Sequence, residues 1–222
     1  VSMSSSILKG SGVISEFKRA SPSKGDINLT ADVAEIVKAY EGAGASGVSV
    51  LTDKQFFKAK SSDLNEAREA TALPILRKYF MIDPYQIYEA KAMGADTILL
   101  IAAILDAEQV DRLTSTAHEL GLEVLIEVHT EDELVVLCGR ENMVGVNNRN
   151  LNNFSVDLNR SVELMAKLDQ GTVKIAESGI SSTKDMLFLK DSGFDGFLIG
   201  EHFMKTIKAG SSIEELINLA GQ

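Results

Sequence analysis

The sequence predicts a single (β/α)8 barrel, on three observations. Eight short apolar runs recur along the 222 residues, segments with helical marks lie between them, and a glycine closes several of those segments just before the next run. The runs span 13–18, 48–52, 74–80, 97–103, 124–128, 144–147, 173–177 and 196–199. Most show little alternation, as strands buried on both faces do, and such strands belong to parallel sheets covered by helices.

The helical marks come in order along the chain. Asp83 precedes Pro84 at a first helical turn. Val110, Leu113, Ala117 and Leu120 fall on one helix face. Thr130 with Glu133, and Ser212 with Glu215, have the spacing of capping boxes. The segment from Ser212 reads as a last helix through Ile213, Leu216, Ile217 and Ala220. Gly44, Gly94, Gly121 and Gly193 suit the left-handed turn that ends a helix. Eight such strand-helix units, in a chain near the usual length of these barrels, favour a closed barrel over an open doubly wound sheet. Gly42, Gly44 and Gly47 spell GxGxxG, but the motif follows a helix and enters a strand, the reverse of the order a dinucleotide site needs.

Composition narrows the function. Hydrophobic residues make up 45% and charged residues 24%, the balance of a folded globular chain. Twenty-two basic against 32 acidic residues give a net charge of −10 without a basic stripe, which argues against a nucleic-acid partner. The run 97–105 is far shorter than the roughly 20 residues of a membrane-spanning helix and reads as a buried strand. One cysteine, Cys138, excludes an internal disulfide and reads as a packing residue on a helix. No leader or acyl-anchor signal opens the sequence, so the expected compartment is the cytoplasm. His118, His129 and His202 are scattered, so no metal site is expected.

In such a barrel the catalytic groups sit at the carboxyl ends of the strands. Here those ends carry Glu16, Lys18, Arg19 and Ser21; Arg77 and Lys78; Glu127 and His129; Asn147, Asn148 and Arg149; Glu177, Ser178 and Gly179. Any one of these alone reads as a solvated strand end or a structural ion pair; converging on one rim they read as a site. Lysines crowded by cations or partly desolvated lose basicity, and a carboxylate in an apolar mouth is raised, so acid and base could coexist near neutrality. Ser178-Gly179 and Gly200-Glu201 match the usual phosphate cradle after the seventh and eighth strands, with His202 in the short segment that follows.

The motifs EFKRASPSKG (16–25), SVLTDKQFF (49–57), ILRK (75–78), IDPYQIYEAKAMGAD (82–96), LLIAAIL (99–105), GLEVLIEVH (121–129), GVNNRNL (145–151), AESGI (176–180) and FLIGEHFMK (197–205) resemble the successive strand signatures of the indole-3-glycerol phosphate synthase family. The resemblance runs from about residue 12 to residue 206, in order and without large gaps. It implies a cofactor-free lyase of tryptophan biosynthesis, acting on the small phosphosugar-anthranilate 1-(2-carboxyphenylamino)-1-deoxyribulose 5-phosphate. Ring attack on the ribulose carbonyl, loss of carbon dioxide and loss of water would give the indole. By the same resemblance Lys78 is the general acid, Glu127 and Lys18 move protons, and Glu16, Asn147, Glu177 and Ser178 complete the catalytic rim. Lys18, Arg149, Ser178, Gly179, Gly200 and Glu201 would hold the phosphate.

Three departures accompany the match. Family members carry a further N-terminal helix before the point where Val1 begins. Tyr79 stands where the family has an acid after the third-strand lysine, which predicts a lower proton affinity for Lys78. Lys58-Ala59-Lys60 replaces small residues after Phe56-Phe57. They leave open an alternative: a catalytically impaired or engineered barrel that binds sugar phosphates without turnover. A phosphosugar isomerase on the same fold would explain the cradle but not GVNNRNL or EFKRASPSKG. Other tryptophan-pathway enzymes as partners are compatible with the sequence but not implied by it.

Overall fold

In the computed structural model of the chain, which describes residues 1–149, 155–169, 171–204, 214, 216 and 217, eight parallel strands close into a barrel. They are β1 (Val13–Phe17), β2 (Gly47–Leu51), β3 (Ile75–Lys78), β4 (Thr97–Ile101), β5 (Glu123–Val128), β6 (Met143–Asn147), β7 (Val173–Glu177) and β8 (Gly196–Ile199). Each pairs with the next, and β1 closes the ring onto β8 through Val13↔Phe197, Ile14↔Leu198 and Ser15↔Ile199. The helices are α1 (Met3–Lys9), α2 (Val33–Gly42), α3 (Asp63–Ala70), α4 (Pro84–Ala92), α5 (Ala107–Glu119), α6 (Leu158–Met165), α7 (Thr183–Asp191) and α8 (Glu201–Met204). Among the described residues no helix is long and apolar enough to cross a membrane.

Strand parity separates two cores. Side chains alternate across a strand, so Ile14, Leu76, Leu99, Leu125, Met143, Ile175 and Leu198 fill the barrel, while Val13, Val48, Ile75, Ile98, Val124 and Ile126 pack outward against the helices. The α1 helix plugs the amino-terminal end by inserting Met3 and Ile7 into the inner cluster. Two positions beyond the inner apolar residues, on the same face, stand Glu16, Lys78, Glu127 and Glu177. The polar rim is thus the top layer of the inner stack.

The sequence marks hold where the backbone supplies their partners. Asp83 and Gln86 form a capping box on α4, and Val110, Leu113 and Ala117 are buried on α5 with Leu120 half-buried. Gly44, Gly94, Gly121 and Gly193 take φ of 86°, 91°, 67° and 105°, and GxGxxG lies across the exit of α2 and the start of β2, as read.

Four expectations need correction. The apolar run 97–103 is a strand only to Ile101; Ala102–Ile104 form a 3-10 turn at the rim, where Ile104 is exposed. The third run narrows from 74–80 to Ile75–Lys78, and Tyr79 and Phe80 leave the ladder. Thr130 caps nothing: Glu131–Val136 is a short 3-10 helix, and Glu133 Oε2 instead accepts the backbone N–H of His129 at 2.6 Å. Cys138 follows that turn, off any helix, and packs half-buried against the outer core. Leu216 is buried and Ile217 half-buried in helical conformation, whereas Ser212, Ile213, Glu215 and Ala220 lie outside the described residues.

One ion pair ties the first two loops of the rim together. Arg19, 2% exposed, forks onto Asp63, fully buried, with Nε–Oδ2 at 3.0 Å and Nη2–Oδ1 at 2.7 Å. Its Nη1 donates to the carbonyls of Leu29 and Ala31, and Asp63 Oδ2 also accepts the Lys60 N–H at 2.9 Å. Removing one partner of such a pair leaves an uncompensated buried charge. Asp63→Ala is therefore expected to lose about 3–5 kcal/mol in a urea titration; a loss under about 1 kcal/mol would show that the loops hold without the pair.

Candidate active site

The rim surrounds a cavity of about 920 Å3, within the range of small-ligand clefts. One wall is charged, with Glu16, Lys18, Lys78 and Glu127; another is apolar and aromatic, with Leu51, Phe56, Tyr79, Phe80 and Ile104. The far side carries Asn147, Arg149, Ser178, Gly179 and Gly200. A smaller cavity of about 360 Å3 shares Asn147 and Arg149 and reaches His129, Glu133 and Asn148.

Lys78 is the centre of the charged wall. Its Nζ lies 2.7 Å from Glu177 Oε2, 3.5 Å from Glu16 Oε2 and 3.7 Å from Glu127 Oε2. Lys18 Nζ donates to Glu16 Oε1 at 2.5 Å. Three elements far apart in sequence supply the three carboxylates, and barrel closure brings them onto one ammonium.

The proton affinities follow from this crowding. Burial works against the charged form of Lys78, but Glu177, Glu16 and Glu127 together outweigh it, and its pKa is raised. The expectation of a weakened Lys78 is thereby overturned: its acids come from β1, β5 and β7, not from position 79. Tyr79 follows Lys78 directly, and its ring lies 5.0 Å from the Arg77 guanidinium while lining the cavity wall. Burial pushes Glu16 up, yet Lys18 and Lys78 hold it below its ordinary value. Glu177 goes the other way. Full burial, with Glu127 beside it, exceeds the pull of Lys78 and raises it from 4.5 to about 7.

Two inward-facing glycines make room for these acids. A Cβ at Gly200 would stand 2.5 Å from Glu16 Oε1, and one at Gly145 would strike Glu177 Oε1. Ser178 and Gly179 take left-handed φ of 67° and 73°. That conformation is costly for serine, and such strain persists only where neighbours hold it; here Asn148 Nδ2 donates to the Ser178 carbonyl at 2.7 Å. Asn147 Oδ1 accepts the Arg149 N–H at 3.0 Å.

The structure thus gathers Glu16, Lys18, Lys78, Glu127, Asn147, Arg149, Ser178, Gly179 and Gly200 around one cavity, with Glu177 buried against Lys78. Glu201 opens α8, but its side chain, like that of His202, lies outside the described residues. Arg19 and Arg77 leave the site. Arg19 is spent on Asp63; Arg77 pairs with Glu89 at 2.5 Å and donates to the Gln86 carbonyl and Thr52 Oγ1. His118 is exposed on α5, its Nε2 3.1 Å from Asn142 Oδ1. The sequence reading missed the aromatic wall and Gly145. It also gave no role to His129, whose position two residues after Glu127 puts it on the same strand face.

A family model described as indole-3-glycerol phosphate synthase matches residues 2–216. An indole-3-glycerol phosphate synthase of Bacteroides thetaiotaomicron is 48% identical over 207 residues, 93% of this chain and 80% of that protein. Another, from Neisseria meningitidis serogroup B, is 50% identical over 194 residues, 87% of this chain and 74% of its own length. Among solved structures, a mandelate oxidase variant with a monooxide FMN adduct superposes with a TM-score of 0.66 at 15% identity, over 94% of this chain and 70% of that one, a likeness of fold alone.

A carboxyl whose folded-state pKa exceeds its unfolded value binds more proton when folded, so its contribution to stability falls as pH rises through that window. For Glu177 the window runs from 4.5 to about 7. Glu177→Gln removes this titration. The stability of the variant relative to the unaltered chain is expected to grow between about pH 5 and about pH 7.5 in denaturant titrations; a difference that stays flat with pH would contradict the raised carboxyl.

Proposed function

The chain belongs to the indole-3-glycerol phosphate synthase family, and we propose that this rim closes the indole ring of 1-(2-carboxyphenylamino)-1-deoxyribulose 5-phosphate, with loss of carbon dioxide and water. One observation carries the assignment of residues: a single ammonium, Lys78, faces the cavity within 3.7 Å of three carboxylates.

The substrate phosphate sits between Arg149 and the Ser178-Gly179 and Gly200 backbone, with Lys18 above it. The aromatic ring lies on the wall of Phe56, Tyr79, Phe80 and Ile104. This places the ribulose carbonyl before Lys78. The ring carbon that bears the carboxylate attacks the carbonyl carbon, and the carbonyl electron pair moves to oxygen, where Lys78 delivers a proton. A high proton affinity suits that role, because the donor must arrive protonated at each turnover and the developing alkoxide is more basic still. The bond to the carboxylate then breaks, carbon dioxide leaves and its electron pair restores the aromatic ring.

Dehydration needs one proton given and one taken. The new hydroxyl departs as water on a proton from Lys18, and Glu127 accepts the proton lost from the neighbouring carbon. Closure therefore consumes one proton per turnover, and Glu177, with a pKa of about 7 and 2.7 Å from Lys78 Nζ, is suited to return it. Glu16 holds Lys18, and Asn147 fixes the chain leading to Arg149. The single cysteine and the substrate class support a cytoplasmic location.

Indole fluorescence after mixing the chain with this substrate is expected to rise, and Lys78→Ala is expected to lower kcat by about 10^2- to 10^4-fold. Binding of the substrate without any product would instead favour a sugar-phosphate binder, and an unchanged rate in the variant would remove Lys78 from the mechanism.

A further inference from the structure

Glu127 must present a defined oxygen to its substrate, yet the last torsion of a glutamate is broad and roughly two-fold. Lys78 does little to fix it, since its hydrogen bond goes to Glu177 at 2.7 Å and Glu127 Oε2 lies 3.7 Å away. The other oxygen, Oε1, faces His129 Nε2 at 3.3 Å. Across the ring, Nδ1 faces Glu133 Oε2 at 3.5 Å, and that same oxygen accepts the His129 backbone N–H at 2.6 Å.

The His129 side chain is 9% exposed, and among the described residues neither ring nitrogen completes an aligned hydrogen bond. Buried polar groups nearly always find partners, yet no described backbone group bonds either ring nitrogen. Instead both nitrogens lie between two carboxylates, one on the catalytic rim and one on the 3-10 turn Glu131–Val136 that fills the stretch between β5 and β6. That short turn, anchored by the Glu133 side chain rather than by a Thr130 cap, puts a carboxylate within reach of Nδ1.

We infer that His129 is a positioning residue for the reaction, oriented by Glu133 and directing an Nε2–H at Glu127 Oε1 so that Oε2 faces the reacting atoms. The inference rests on the proposed role of Glu127 in proton transfer. With Nδ1–H toward Glu133 and Nε2–H toward Glu127 the ring donates at both nitrogens, as an imidazolium does, and a ring whose outer nitrogen is held by a second carboxylate has its orientation fixed. The smaller cavity of about 360 Å3 is lined by both His129 and Glu133.

The test measures kcat and KM for ring closure in three variants. His129→Phe keeps the ring shape without the donor; His129→Gln returns an N–H near the place of Nε2; Glu133→Gln keeps an acceptor for the His129 backbone while removing the charge. His129→Phe is expected to lower kcat by about tenfold to a hundredfold, the scale of a misplaced catalytic group, with KM within about threefold. His129→Gln should recover most of that loss, and Glu133→Gln should cost a few-fold in kcat alone. A His129→Phe kcat within twofold of the unaltered chain would overturn the inference, as would a rise in KM at constant kcat, which would make His129 a substrate contact. If His129→Phe does not fold, Glu133→Gln decides: an unchanged kcat overturns the inference and a fall at constant KM supports it. An unaltered chain without turnover would overturn the proposed function and this role together, whereas turnover untouched by the three variants would overturn this role alone.

Discussion

Three carboxylates that are far apart in sequence meet at Lys78, and the rest of the site depends on that convergence. Glu177 is 99 residues away along the chain, yet its Oε2 accepts from Lys78 at 2.7 Å because the strands that carry them close into one barrel. Parity does the rest. Every second side chain of a strand points inward, so the residue two places past an inner leucine or isoleucine stands on the same inward face, one layer higher. The barrel interior is therefore apolar and packed below and charged above, and the ammonium experiences three carboxylates that are, like itself, largely buried, where charges are screened less than in water. Glu16 and Glu177 diverge for this reason. Glu16 has two lysines and is held below its ordinary value, whereas Glu177 shares one with two other acids and is raised to about 7.

Much of this fold is legible in the amino-acid sequence because buried parallel strands are continuous apolar runs. The runs at 173–177 and 196–199 match β7 and β8 to the residue. The run at 97–103 overshoots because Ala102 and Ala103 are as compatible with a 3-10 turn as with a strand, and composition does not distinguish them. Glycines at helix ends were readable because a backbone conformation, not a neighbour, requires them. The Thr130-Glu133 spacing misled because a capping box assumes an α-helix after it, and here the chain turns too tightly for one.

The site was legible as a set and less so in its particulars. Glu16, Lys78, Glu127 and Asn147 stand at strand ends, so a rim was visible; which cations belong to it was not. Arg77 sits one place off the inward parity of Leu76 and Lys78, and Arg19 one place off that of Glu16 and Lys18, so both turn outward and are spent on Glu89 and Asp63. The proton affinity of Lys78 was misjudged for a related reason. A local substitution, Tyr79 for an acid, was given weight that belongs to partners across the barrel, and only closure shows which they are. His129 went unassigned although its i+2 relation to Glu127 was in plain view; its significance comes from Glu133, whose approach the tight turn makes possible.

The most direct measurement is a 15N NMR titration of the Lys78 Nζ in the unliganded chain, assigned by comparison with Lys78→Arg. With three carboxylates around it, the signal is expected to remain that of an ammonium above about pH 10.4, where ordinary lysines have begun to release their protons. A Lys78 that loses its proton below that value would contradict the account, because the acids of β1, β5 and β7 would then not be acting on it together.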